Sequence, residues 1–227
     1  MKRSRPVPLA ILFDLDGTLV NSYRLYLEAY RRALEPVLGR APSHDEIASR
    51  SPAAERQFLS DWVGPERADE CHDALCQHYS QLRGAFGDGP YDGVREMLTA
   101  LASAGYPLGI VTGKGRRVWD LTEPAFAPRL FEVVITEDDV THSKPNPEGL
   151  RAAAAALAID PERIAFIGDS HSDFAAGRAA GMSIGGALWP KTEPGDRESF
   201  LATIGEFSPD WLFERPADVT REFAKWC

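Results

Sequence analysis

Residues 10–20 read AILFDLDGTLV, an apolar run that ends abruptly at two carboxylates and a glycine. A run that does not alternate apolar and polar residues is typical of a strand covered on both faces, as in parallel sheets. Asp14 and Asp16 are two positions apart, so on a continuing strand their side chains leave the same face. Ligands bind at the carboxyl ends of strands in open parallel sheets. The stretch therefore predicts a buried strand with a functional site at its end.

The composition of the chain is that of a soluble globular protein. Its 227 residues, 44% hydrophobic and 26% charged, fit one large domain or a core domain with an insert. The net charge of -9 argues against nucleic acid or an anionic membrane surface as the main partner. We expect no signal peptide, no membrane span and a cytoplasmic location, since the first apolar run is short and the three cysteines form no paired pattern. No pattern indicates an oligomeric state.

Four helices in succession are predicted after the first strand. They cover residues 23–38, a short segment opened by a Ser43/Glu46 capping box, residues 52–62 and residues 66–82, with no strand between them. A simple alternating α/β chain does not proceed in this way. We therefore expect an α-helical cap domain over residues 22–86, inserted into a core domain made of residues 1–21 and 87–227.

The rest of the chain predicts an alternation of strands and helices. Strands are expected at 107–112, 131–136, 163–167, 182–188 and 210–213, and helices at 94–102, 115–126, 147–157, 174–180 and 217–226, with a loop at 190–195. The predicted fold class is α/β, with a Rossmann-like parallel sheet, helices on both faces and the inserted cap.

Polar groups follow four of the strands or open the next helix, and a parallel sheet brings such positions to one edge. They are Asp14 with Asp16, Thr112 with Gly113, Lys144, and Asp169 with Asp173. Carboxylate oxygens suit Mg²⁺, which keeps waters and substrate phosphate among its ligands. A hydroxyl, an ammonium and backbone N–H groups suit phosphate oxygens. Together these residue types predict a phosphoryl-transfer site that takes a small phosphorylated metabolite.

Four motifs in this order resemble those of the haloacid dehalogenase superfamily, in the branch of the phosphoglycolate phosphatases and β-phosphoglucomutases. They stand here as 14-DLDGTL-19, 111-VTGK-114, 144-KP-145 and 168-GDSxxD-173. The resemblance implies a magnesium-dependent phosphatase that hydrolyses a small, phosphoglycolate-like phosphomonoester through an aspartyl-phosphate. A sugar phosphomutase of the β-phosphoglucomutase type is the alternative, and a non-catalytic phosphate-ligand sensor is a third, less favoured one.

The same resemblance implies a role for each motif residue. Asp14 is the expected nucleophile and Asp16 the general acid and base. Magnesium is expected on Asp14, the main-chain carbonyl of Asp16 and Asp169. Asp173 is also counted among the metal-site residues, where it is expected to orient Lys144 or a metal-bound water. The phosphoryl oxygens are expected to be held by Thr112, the Gly113 N–H and Lys144.

Several positions carry open alternatives. Gly113 stands where the family usually has an asparagine, so a side-chain contact is lost. Arg50 and Arg56 of the cap are candidates to bind the leaving group, against an interpretation as solvated surface. His171 is a candidate substrate contact or, as we favour, an exposed residue at a helix start.

Trp189 and a cluster of cysteines and histidines each have a structural interpretation beside a functional one. Trp189 either borders the site or packs in the core. A cysteine and histidine cluster at positions 71, 72, 76 and 78 lacks the second group that a zinc site needs, so we assign it to a helix.

Overall fold

The computed structural model describes residues 7–50, 54–86 and 89–226. These residues form one six-stranded sheet from β1 (Ala10–Phe13), β2 (Leu108–Val111), β3 (Val133–Ile135), β4 (Ile164–Gly168), β5 (Ser183–Ala187) and β6 (Trp211–Phe213). The strands lie in the order β3-β2-β1-β4-β5-β6, and each neighbouring pair is parallel. This is the doubly wound order, with β1 at its centre, and it confirms the predicted fold class.

Ten α-helices occur among the described residues. They are α1 (Tyr23–Leu38), α2 (His44–Ala48), α3 (Glu55–Val63), α4 (Pro65–Phe86), α5 (Val94–Ser103), α6 (Arg116–Thr122), α7 (Glu148–Leu157), α8 (His171–Ala180), α9 (Pro194–Ile204) and α10 (Pro216–Phe223). In the described part of the chain, no helix combines the length and the apolar character that crossing a membrane requires.

Side chains of β1 alternate between two helical layers. Ile11 and Phe13 belong to an apolar cluster with buried residues of α5 and α10, whereas Ala10 and Leu12 belong to a cluster with α7 and α8. All four are fully buried. An apolar run without alternation is therefore explained, because both faces of the strand are covered.

Helices α1 to α4 pack mainly on one another. Leu25, Phe58, Leu75 and Tyr79 lie in one apolar cluster of these helices, which Val118 of α6 joins. The predicted capping box of Ser43 and Glu46 is present, and Gly39 ends α1 in the left-handed conformation. This packing supports a cap over residues 22–86. The domain boundaries stay a prediction, and residues 87 and 88 lie outside the described ranges.

The predicted elements differ from the structure mainly at helix ends. The helix predicted over 115–126 ends at Thr122 and continues as a 3₁₀ turn, Glu123–Ala125, because Pro124 has no N–H for the helical ladder. The helix expected from residue 174 begins at His171, since Ser170 and Asp173 form a capping box there. The helix predicted over 52–62 starts outside the described residues, and α3 itself spans Glu55–Val63.

One helix, α9, was not predicted. It begins with Pro194 and Gly195, and among its described side chains Phe200 and Ile204 are buried. Two buried side chains give little periodic signal, so tertiary contact rather than sequence pattern determines this element.

Candidate active site

A cavity of about 660 Å³ lies between the carboxyl edge of the sheet and the cap. Asp14 follows β1 and Asp169 follows β4, the neighbouring central strand. Its lining includes Asp14, Asp16, Tyr23, Tyr26, Tyr30, Glu55, Thr112, Gly113, Lys114, Lys144, Asp169, His171 and Lys191. The size suits a small metabolite, and the position is where doubly wound sheets bind ligands.

Lys144 links two carboxylates at the floor of the cavity. Its Nζ lies 2.5 Å from Asp14 Oδ1 and 2.7 Å from Asp173 Oδ1, and it also donates to the Val111 carbonyl at 3.2 Å. The Asp173 side chain is 1% exposed, and its Oδ2 accepts from the backbone N–H groups of Asp169 and Ser170. Lys144 is thus fixed next to Asp14 by a carboxylate that is itself fixed.

Asp169 is held by two donors from different loops. Thr18 Oγ1 donates to its Oδ1 at 3.0 Å, and Lys191 Nζ lies 2.7 Å from its Oδ2. Gly17 has a φ of +82°, and a Cβ at that position would lie 2.6 Å from Asp169 Oδ2. A glycine is required here on both counts, because it tolerates positive φ and leaves room for the carboxylate.

The carboxylates of the cavity floor repel one another in a buried setting. Burial raises the pKa of Asp14 well above its ordinary value, and the charges of Asp173 and Asp169 raise it further, against the opposing effect of Lys144. Burial likewise raises the pKa of Asp169, against the effect of Lys191. Burial opposes the charging of Lys144, but Asp14 and Asp173 outweigh it and raise its pKa. The charged forms of Asp14 and Asp169 are therefore disfavoured by burial, and Lys144 and Lys191 offset part of that cost.

Asp16 lies on the cap side of Asp14 and is partly open to the cavity, with a side chain 28% exposed. Ser22 Oγ donates to its Oδ1 at 2.5 Å, and Lys114 Nζ lies 3.1 Å from the same oxygen. Lys114 has no role among the predictions from the sequence, although it follows a predicted strand end. Its side chain is buried, donates to the Tyr79 hydroxyl at 3.1 Å and lies 4.6 Å from the ring centroids of Tyr26 and Tyr79.

Thr112 and Gly113 lie where β2 ends, as predicted. Thr112 is 5% exposed, and its Oγ1 accepts from the Lys114 N–H at 3.1 Å. The Gly113 carbonyl accepts from the Glu55 N–H at 3.3 Å, so this loop contacts the cap directly. Both residues line the cavity beside Asp14 and Lys144.

A second buried polar cluster joins the cap to the core beside the cavity. His72 Nε2 of α4 lies 2.9 Å from Glu55 Oε2 and 3.9 Å from Glu137 Oε1 of the core, and the Tyr26 hydroxyl donates to Glu55. Burial opposes protonation of His72, but its contacts with Cys76 and Glu55 outweigh burial and raise its pKa to about 10. Burial, and then the charge of Glu55, raise the pKa of Glu137 to about 7.

Two predicted site residues, Arg50 and Arg56, are not brought to the cavity. The Arg50 guanidinium lies 3.9 Å from the ring centroid of Trp62. Arg56 pairs with Asp138 at 2.5 Å and with Glu137 at 3.4 Å, which places it on the seam between cap and core. Neither residue is among the described residues that line the cavity, so the structure favours the alternative interpretation, in which these arginines do not bind the leaving group.

Of the remaining candidate residues, His171 lies at the cavity, Trp189 packs against the core, and the cysteines and histidines lie on one helix. His171 is the first residue of α8, lines the cavity and has a side chain 51% exposed, with Glu206 as a partner at 3.3 Å. Trp189 packs against the core cluster and donates to the Thr18 carbonyl at 2.9 Å. The cysteines and histidines at 71, 72, 76 and 78 all lie on α4.

Lys191 also lines the cavity, although it is not among the site residues predicted from the sequence. It lies in the loop that follows β5, two residues after Trp189. Because ligands bind at the carboxyl ends of parallel strands, this loop is a place where a site residue could have been predicted.

Comparison with known proteins gives a consistent result. Residues 11–187 match the family model of haloacid dehalogenase-like hydrolases. The pyrophosphatase PpaX of Anoxybacillus flavithermus is 34% identical over 214 residues, which cover 92% of this chain and 94% of that protein. A crystal structure of a protein assigned as a phosphoglycolate phosphatase from Lactobacillus plantarum has a TM-score of 0.78 at 26% identity, covering 96% of this chain and all of the other.

A third similar structure shares the fold at lower identity. It is a hydrolase from Pseudomonas syringae, with a TM-score of 0.78 at 23% identity and coverage of 97% of this chain and 99% of that one. The family model spans more than half of the chain, and the resemblance read from the four motifs is confirmed. The chain is an enzyme that belongs to the haloacid dehalogenase-like hydrolase family.

Proposed function

We propose that this enzyme is a magnesium-dependent phosphatase that hydrolyses a small phosphomonoester through an aspartyl-phosphate on Asp14. The observation that carries the proposal is the arrangement around Asp14, in which a buried carboxylate lies 2.5 Å from the Lys144 ammonium at the floor of a cavity that Asp16 also lines. A nucleophile, a positive group for the phosphoryl oxygens and a second carboxylate are the parts that such a reaction needs.

Asp14 is proposed to attack phosphorus, with the bond to the leaving oxygen breaking in line. Lys144 and Thr112 are proposed to hold the phosphoryl oxygens, where charge spreads in the transition state. Because Asp173 fixes the Lys144 ammonium from the far side, we assign Asp173 to positioning Lys144. Lys144 then needs no reorganisation as charge develops.

Asp16 is proposed to give a proton to the leaving oxygen and later to take one from the water that attacks the aspartyl-phosphate. Its side chain is partly exposed to the cavity, unlike that of Asp14, which suits exchange of protons with substrate and water. The Ser22 hydroxyl and the Lys114 ammonium fix the orientation of its carboxylate.

A magnesium ion fits the donor set at Asp14 and Asp169. The two buried carboxylates and Asp173 each offer an oxygen, and these oxygens lie within 4.8 Å of one another. Burial disfavours the charged forms of Asp14 and Asp169 and raises the pKa of both, and a bound cation would offset that cost. Hard oxygens of this kind are what Mg²⁺ prefers. Asp14, Asp169 and the Asp16 carbonyl would hold the ion, which when bound supplies charge neutralisation between the anionic nucleophile and the anionic substrate.

The names of the relatives agree with phosphate-ester or phosphate-anhydride hydrolysis. Curated relatives include proteins named as pyrophosphatases, and one similar structure is assigned as a phosphoglycolate phosphatase. A phosphomutase remains the alternative, since a protein assigned as a β-phosphoglucomutase shares the fold at 20% identity. Phosphate release without a bisphosphate activator separates the two reactions.

The test is phosphate release from a panel of small phosphomonoesters and pyrophosphate, measured with magnesium and with chelator. We expect metal-dependent release by the wild type and none by Asp14→Asn. Lys225→Met serves as the control variant, since Lys225 is exposed, pairs with Glu222 and does not line the cavity. Absence of release from every compound, with or without a bisphosphate activator, would overturn the proposal.

A further inference from the structure

Lys114 is a buried ammonium to which the proposed phosphoryl transfer gives one role, the orientation of Asp16. The residue is 1% exposed, yet it lines the cavity. Fully buried lysines are rare unless they are paired, so its presence here has a cause. Its contact with Asp16 is one cause, but this contact alone does not use all three N–H donors of the ammonium.

The position of Lys114 places it beside the leaving group. Asp16 must come within hydrogen-bond distance of the leaving oxygen to protonate it. Lys114 Nζ lies 3.1 Å from Asp16 Oδ1. An anionic group one or two bonds from the leaving oxygen therefore falls within reach of the Lys114 ammonium.

The other lysines of the cavity are committed elsewhere. Lys144 is held between Asp14 and Asp173, and Lys191 is paired with Asp169. The cap helices, within their described residues, bring tyrosines and Glu55 to the lining but no basic side chain. Among the described residues that line the cavity, Lys114 is therefore the lysine that faces the leaving-group side.

The surroundings of Lys114 suit a ligand with a compact anionic group. An ammonium has three donors, and the polar partners described for Lys114 are Asp16 and the Tyr79 hydroxyl. Tyr26 and Tyr79 shield it from solvent with their rings. Glu55, the nearby carboxylate of the cap, is balanced by His72 at 2.9 Å.

We infer that Lys114 is a specificity-determining residue that binds an anionic group, a carboxylate or a phosphate, on the leaving portion of the substrate. The inference rests on the proposed function. It narrows the substrate class to small phosphate esters or anhydrides whose leaving group is itself an anion. Neutral leaving groups place no acceptor next to the buried ammonium and are hydrolysed less well.

The test compares three substrates and matched variants. 2-Phosphoglycolate carries a carboxylate, pyrophosphate carries a phosphate, and 2-hydroxyethyl phosphate replaces the carboxylate of phosphoglycolate with a neutral alcohol. The values of kcat/KM are measured for the wild type, Lys114→Met, Lys114→Gln and the surface control Lys225→Met. Two Lys114 variants are used so that one that fails to fold does not end the test.

We expect the wild type to prefer at least one anionic substrate over 2-hydroxyethyl phosphate by more than tenfold. Lys114→Met and Lys114→Gln are expected to reduce that preference by roughly 10- to 150-fold, the range for a hydrogen bond to a charged group. Lys225→Met is expected to leave the preference unchanged. Which anionic substrate loses its advantage identifies the carboxylate or the phosphate as the recognised group.

Two results would overturn the inference while leaving the proposed function intact. One is a wild type that hydrolyses the neutral and both anionic substrates equally well. The other is an equal loss on all three substrates in the Lys114 variants, which would mean that Lys114 acts only by fixing Asp16. A wild type that releases phosphate from none of them would overturn the proposed function and this inference with it.

Discussion

Asp173→Asn is expected to destabilise the enzyme and to impair catalysis through Lys144. The Asp173 side chain is 1% exposed, and its two oxygens accept from donors on opposite sides. Oδ1 faces Lys144 Nζ at 2.7 Å, and Oδ2 faces the Ser170 N–H at 3.0 Å and the Ser170 hydroxyl at 2.6 Å. An asparagine offers one oxygen and one NH₂ group, so either orientation sets two buried donors against each other.

The magnitude follows from what is lost. Removing one partner of a buried charge pair costs about 3 to 5 kcal/mol, and we take about 3 kcal/mol because Lys144 keeps Asp14 as a partner. For a chain of this length, about 3 kcal/mol lowers the melting temperature by roughly 6 to 12 °C. The ammonium is also released from its fixed position, so we expect kcat to fall by about a hundredfold, as for the loss of a preorganised charge donor.

The assay is thermal unfolding by circular dichroism together with steady-state phosphate release. Asp160→Asn is the matched control, because Asp160 is exposed and accepts from the Glu162 N–H at 3.0 Å, which an asparagine oxygen can also do. Its melting temperature is expected to stay within about 2 °C of the wild type. An Asp173→Asn variant that melts as the wild type does, with unchanged kcat, would refute this reasoning.

Two further predictions concern Glu137, at the seam between cap and core, and Gly17, in the turn after β1. Since the pKa of Glu137 is raised from 4.5 to about 7, the folded state favours its protonated form, and stability is lost as pH rises from about 4.5 through 7, by up to about 3 kcal/mol. Glu137→Gln should remove this loss, so that its melting temperature exceeds that of the wild type at pH 8 but not at pH 4; parallel curves across pH would contradict this. Gly17→Ala should cost more stability in urea unfolding than Gly39→Ala and should abolish phosphate release. Both glycines have positive φ, which costs about 1 to 2 kcal/mol, but only the Gly17 position would bring a Cβ against Asp169; equal losses would speak against the clash.

The sequence predicted the sheet and the floor of the site because both follow from local patterns. The apolar run from Ala10 to Phe13 marks a strand covered on both faces, and the carboxyl-end rule then brings Asp14, Lys144 and Asp169 to one edge. These statements need only strand order and direction, which short parallel crossovers largely determine.

The cap side of the site was not predictable in the same way. Which side chains of a helical cap face the cavity depends on how the helices pack and on how the cap sits over the sheet. Arg50 and Arg56 are close in sequence to Glu55, which lines the cavity, but Arg50 contacts Trp62 and Arg56 pairs with Asp138. Tyr26 and Lys114, in contrast, are far apart in sequence, and no local pattern predicts the contact between them.

Asp14 is proposed to become phosphorylated during turnover. The most direct test is rapid acid quenching of enzyme mixed with substrate carrying labelled phosphate, followed by borohydride reduction and peptide mapping. We expect acid-stable, hydroxylamine-sensitive label on the peptide that contains Asp14, conversion of that residue by borohydride, and no label in Asp14→Asn. Label on a different residue, or undiminished phosphate release by Asp14→Asn, would contradict the claim.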